Sequence, residues 1–200
     1  MSIKYLNNKN NYNVIIVFEV ILIDEAVNFM INKEWEKDYK FKRKKYLLTI
    51  ATECEKSNKD SDIIGGILIY NQLIEQLLKE SIICSISYIK AEIWPINVQL
   101  DIDFEKATFG TLIDYFKKFT IKEHNYDIII NYLKDIKKIR NNIVHNLFNI
   151  PKIEDLKDIS KNYYNISNKL VKLLNTYYEQ LCYRLYELSE RVEWDLFKEK

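Results

Sequence analysis

The chain has 200 residues, 48% of them apolar and 30% charged, enough to bury a core and ordinary for a soluble globular domain. It contains three Gly and two Pro, too few for a sheet protein built on tight turns, so the composition points to long helices with few connections. A net charge of +1 argues against a protein that holds nucleic acid by charge alone, and three widely spaced cysteines (Cys54, Cys84, Cys182) without a CxxC read as reduced thiols, not a disulfide framework or zinc site.

The N-terminal stretch MSIKYLNNKNNYN is polar and has neither the apolar core nor the small-residue cleavage site of an export signal. The apolar run over 14–23 is interrupted by Glu19 and closed by Asp24 and Glu25, which makes it a buried helix too short to span a bilayer. A cytoplasmic protein with no membrane contact is expected. Apolar spacing predicts helix over 12–56, in one piece or two, as an N-terminal extension (1–56) to a core bundle at 60–195, the whole chain forming one domain. The polar break SNKDS (57–61) supplies Asp60 or Ser61 as a cap for a helix over 63–93. Gly65 and Gly66 near its start are read as a close helix–helix approach or a frayed first turn. Trp94-Pro95 ends it, because the residue before Pro is pushed out of the α region.

The alternating, acidic stretch 95–105 is expected to be an extended loop, followed by a short helix over 108–119 capped near Thr108 or Ala107. Asn125 or Asp127 then caps a helix over 126–149 that Pro151 stops. A last amphipathic helix is predicted over 153–194. The expected fold is therefore all-α, an antiparallel bundle of four to five helices.

One segment carries chemistry. KKIRNNIVHNLF (137–148) holds Arg140, Asn141 and His145. At ~100° per residue Asn141 and His145 share a face one turn apart, Arg140 lies beside it, and Ile139, Ile143 and Leu147 can pack inward on the opposite side. These residue types suit RNA cleavage by internal transesterification. His145 takes the proton of a ribose 2′-OH, and Arg140 stabilises the charge that builds on the phosphate. Asn141 orients His145 or contacts the phosphate. His145 lies near the predicted helix end, where the dipole favours the imidazolium and with it the acid role. Lys137 and Lys138 are candidates for binding the same RNA. The chemistry requires no metal or other cofactor, and no carboxylate–His cluster with metal spacing is present in the sequence. By spacing alone, an Arg and a His on one helix are more often a solvated or salt-bridged pair.

The string IRNNIVHN near the end of the penultimate long helix resembles the signature of the HEPN superfamily, in which an Arg followed by a polar residue precedes a His by four to six positions. TFGTLIDYFKKF (108–119) and YNQLIEQLLKESI (70–82) are similar to the helices that precede that signature, so the resemblance spans roughly residues 60–190. It implies a homodimer joined through the motif helix, with two Arg and two His composing one metal-independent endoribonuclease site that leaves a 2′,3′-cyclic phosphate. It also implies a toxin or anti-phage abortive-infection effector, with an antitoxin or other regulatory protein as a partner. In toxins silenced by a nucleotidyltransferase, a Tyr two residues after the His is modified. Here that position is Leu147, so that control is not expected. The alternative is a catalytically inactive HEPN-type dimer, or a helical regulator, that binds protein.

Other features receive bland readings. The basic run 40–45 reads as a solvated helix face with Phe41 and Tyr46 turned to the core. Glu75 and Glu80 read as helix-surface charge, His124 as a surface loop residue, and Trp35, Trp94 and Trp194 as core or dimer-interface anchors.

Overall fold

The computed structural model describes residues 39–57, 59–93, 102–146 and 153–198, with the side chains of 39–41, 144–146, 153–156 and 189–198 set aside. The predicted helix over 12–38 and the three tryptophan side chains lie outside what is described. Five helices account for most of the described residues: α1 (Tyr39–Lys56), α2 (Asp60–Glu92), α3 (Phe109–Phe119), α4 (Tyr126–Asn146) and α5 (Ile153–Lys198), with no strand among them. At about 1.5 Å per residue the 46 residues of α5 run about 69 Å, long enough to serve as the spine of the bundle.

Local chemistry sets the helix ends. α2 begins three residues earlier than its apolar spacing predicts, because Asp60 and Asp62 complement the helix dipole in its first turn. Neither Asp60 nor Ser61 caps it; the N-cap is Lys59, which makes no side-chain capping bond. Instead the Ser57 hydroxyl accepts from Lys59 N–H at 3.2 Å and donates to the Asp62 carboxylate. α3 is capped as expected: Thr108 Oγ1 accepts from Thr111 N–H at 3.2 Å. Asn125, at φ 71°, makes the left-handed turn into α4, and its carbonyl accepts from Ile129 N–H at 2.9 Å. α4 ends at Asn146, and Leu147 and Pro151 lie outside the described residues.

The helices form a bundle, but not a strictly antiparallel one. From the N- to the C-terminal ends of α2 and α5, Tyr164 meets Ile63, Tyr163 meets Asn71 and Cys182 meets Cys84, so these two helices run parallel. α3 runs with them: Phe109 lies by Arg140 of α4, while Phe116 packs on Tyr126 at the start of α4 and on Tyr177 of α5. α1 and α4 run the other way, with Lys44 by Glu80 and Cys54 beside Gly66. Loop length is the cause. The six residues between α3 and α4, and between α4 and α5, can only reverse the chain, whereas the sixteen between α2 and α3 are enough to carry it back and start again in the same direction.

One continuous core results, with Tyr70, Ile74, Leu77, Leu78, Phe116, Leu133, Tyr163 and Tyr177 almost wholly buried. Three of its tyrosines find acceptors. Tyr163 donates to Asn71 Oδ1 at 2.7 Å, Tyr164 to the Ile63 carbonyl at 2.6 Å and Tyr177 to the Ile121 carbonyl at 2.7 Å. Each satisfied hydroxyl spares the core a desolvation penalty of about 1–3 kcal/mol and pins α5 in register against its neighbours. Gly66 permits a close approach, since a Cβ there would run into the Tyr164 hydroxyl and the Cys54 Cβ. No helix among the described residues is long and apolar enough to cross a membrane.

Candidate functional site

The buried face of α4 is drawn by Ile129, Leu133, Ile136 and Ile143. With Arg140 inserted, the spacing from Leu133 onward is three, four, three, the periodicity of an apolar stripe. Arg140 therefore occupies a core-margin position, about 100° round the helix from the exposed Asn141. Its side chain is about one-third exposed. A cation there needs both a platform and a counter-charge, and two other helices supply them. The guanidinium carbon lies 5.2 Å from the centre of the Phe109 ring on α3, a cation–π distance. Nη2 lies 3.3 Å from Glu75 Oε1 on α2.

Glu75 is thus not the solvated surface charge that its sequence context suggests. It stands four residues after Asn71 and three before Leu78, both buried, so it too sits on an inner stripe. Asn71 is held by the Tyr163 hydroxyl, which fixes α2 against α5 at the turn before Glu75. The other acid of the pair, Glu80, is engaged elsewhere: Lys44 of α1 reaches it at 2.7 Å.

The remaining candidates divide by position. Lys137, one turn before Arg140, leans over the start of α3, where its Nζ would lie 3.1 Å from a Cβ on Gly110. Lys137 and Arg140 are thereby gathered on one margin of α3. Lys138 and Asn141 are exposed to solvent, and His145 lies on α4 one residue before its end, with its side chain outside the described set. At 1.5 Å per residue, four residues set His145 about 6 Å along the helix from Asn141. Of the predicted inward-facing residues, Ile143 is buried and Ile139 partly so.

Features set aside in the sequence behave variously. Lys42, Arg43 and Lys45 are exposed, as a solvated face requires, but Tyr46 is 65% exposed and not in the core, because Leu47, Leu48 and Ala51 already make the contact of α1 with α2. Phe41 lies among the side chains outside the described set. His124 is exposed. Cys84 and Cys182 are buried with their sulfurs 3.8 Å apart, one thiol donating to the other. No group of three or more His, Cys, Asp or Glu suited to a metal ion occurs among the described residues.

Sequence reasoning missed Phe109 and misjudged Glu75. For Glu75 a signal was present in kind: a charged residue in the stripe of one helix implies an opposite charge in the stripe of another. Which helix supplies it depends on how the helices cross, and spacing within one helix is silent on that. No protein-family model matches the chain, and no curated protein or solved structure matches it either.

Proposed function

We propose that the protein is a metal-independent endoribonuclease acting as a homodimer in the cytoplasm, in the role of a toxin or anti-phage abortive-infection effector held in check by an antitoxin or other regulatory protein. The observation that carries this reading is Arg140, a guanidinium at cation–π distance from Phe109 and paired with Glu75, on the same helix as Asn141 and His145. A cation set so firmly at the edge of a core is suited to meet a phosphate without reorganising.

The chemistry follows from the side chains. His145 removes the 2′-OH proton, and the freed oxygen attacks the adjacent phosphorus. The P–O5′ bond breaks, and the 5′ oxygen takes a proton from an imidazolium, leaving a 2′,3′-cyclic phosphate and a 5′-OH. Arg140 neutralises the phosphorane oxygens and Asn141 orients His145. Lys137 and Lys138 hold flanking phosphates. Dimerisation through α4 would bring a second Arg140 and His145 to the same site, one imidazole serving as base and the other as acid.

The second reading, a catalytically inactive dimer that binds protein, draws on the same ion pair, since an arginine already paired with Glu75 has a sufficient structural reason to exist. Induced expression of the wild type beside Arg140→Ala and His145→Ala separates the two. An RNase arrests growth and cuts cellular RNA, and the purified protein cuts RNA in EDTA, while both folded variants are inert. If all three leave RNA intact, the binding reading stands.

A further inference from the structure

We infer that Glu75 is a positioning residue of the proposed ribonuclease site, setting the orientation of the Arg140 guanidinium through its placement more than through its charge. The inference rests on the ribonuclease reading and adds a residue on a different helix to it. Three observations carry it. First, Nη2 of Arg140 pairs with Oε1 of Glu75 at 3.3 Å; a guanidinium carries five N–H donors, more than one carboxylate can take, so donors remain for a phosphate. Second, the opposing constraint is a flat surface, the Phe109 ring 5.2 Å from the guanidinium carbon. A guanidinium held between a ring and a carboxylate on two different helices has less freedom to swing than a side chain in open solvent. Third, the tie is anchored from behind. Asn71, one turn earlier on α2, accepts the Tyr163 hydroxyl at 2.7 Å, and that ring is fully buried, so α2 cannot slide to carry Glu75 away.

In the reaction, Arg140 must meet oxygens that become more negative as the 2′ oxygen attacks. A guanidinium free to rotate would have to be ordered at that moment, whereas one ordered in advance spends its binding on the transition state. Glu75 touches no reacting atom. Orientation matters most where charge develops, so loss of Glu75 is expected to show in kcat and not in KM.

The test uses the full chain with Glu75→Gln, Glu75→Asp, Glu75→Ala and Arg140→Ala, reading kcat and KM on an RNA oligonucleotide in EDTA and a thermal melt for each. Glu75→Gln keeps an acceptor oxygen at the same place without the charge, and Glu75→Asp keeps the charge but withdraws it by about 1.5 Å. Positioning predicts that Glu75→Gln retains kcat within about threefold, while Glu75→Asp and Glu75→Ala lose about 10- to 100-fold with KM little changed, the scale of a misplacement near 1 Å. The reverse order, with Asp active and Gln impaired, overturns the inference in favour of charge alone. Wild-type kcat in all three Glu75 variants, with Arg140→Ala inert, overturns it while leaving the ribonuclease reading standing. Intact RNA with the wild type itself overturns both. Should Glu75→Ala fail to fold, the Gln and Asp pair decides alone.

Discussion

Arg140 sits where the α4 pattern asks for hydrocarbon, so its energetics are those of a half-buried charge. The attraction to Glu75 offsets the desolvation of both groups only while the pair is intact, and removing one partner strands the other. The buried tyrosines show a related effect. Burial pushes the Tyr163, Tyr164 and Tyr177 hydroxyls above the ordinary tyrosine range, and for Tyr164 the nearby Cys54 and Glu55 add to it. A raised folded-state value means that the neutral phenol is the form the fold prefers. Its stabilisation is complete below the unfolded value of about 10 and is lost as pH climbs through the folded values. Alkaline titration is therefore expected to leave the far-ultraviolet circular dichroism flat to about pH 10 and then to lose helix together with a late, cooperative rise in phenolate absorbance. Smooth phenolate formation by all fifteen tyrosines with the helix intact would contradict this.

At the scale of the element, the two adjacent glycines of α2 have opposite roles. Nothing lies within 4 Å of a Cβ built on Gly65, whereas one on Gly66 meets the Tyr164 hydroxyl at 2.4 Å and the Cys54 Cβ at 2.9 Å. Gly65→Ala is expected to stabilise by up to about 1 kcal/mol through helix propensity. Gly66→Ala should destabilise by about 1–3 kcal/mol, because overpacking outweighs the same propensity gain. Denaturant midpoints of the two variants read the difference directly, and equal shifts would mean that α1, α2 and α5 are not so closely packed. The pair also marks how far spacing can be read. The helical character of 63–93 follows from Ile69, Leu73 and Leu77 recurring every four residues. The start at Asp60 escapes that pattern, since it is set by Ser57 and two aspartates that carry no apolar signal.

At the scale of the whole molecule, the proposed site is composite, so activity should follow assembly. Specific ribonuclease activity is expected to fall on dilution in parallel with the dimer fraction measured by sedimentation. A mixture of Arg140→Ala and His145→Ala protomers is expected to recover part of the activity that neither has alone. Activity that is independent of concentration and unrescued by mixing would place the whole reaction in one protomer.

Helix content, the order of helices and the motif on α4 were determined by the sequence alone, because they depend on local quantities: apolar period, capping residues, the scarcity of Gly and Pro. Legible too was the grouping of Arg140, Asn141 and His145 on one helix, a matter of residue numbers and 100° per step. The tertiary structure decided the rest. The parallel run of α2, α3 and α5 depends on what a sixteen-residue connection does in space, which no pattern within a helix records. The pairing of Glu75 with Arg140 over Phe109 joins residues 65 and 31 positions apart in the chain, and such a contact exists only once three helices cross at one level. Local rules place a charge on a helix face; only packing assigns its partner.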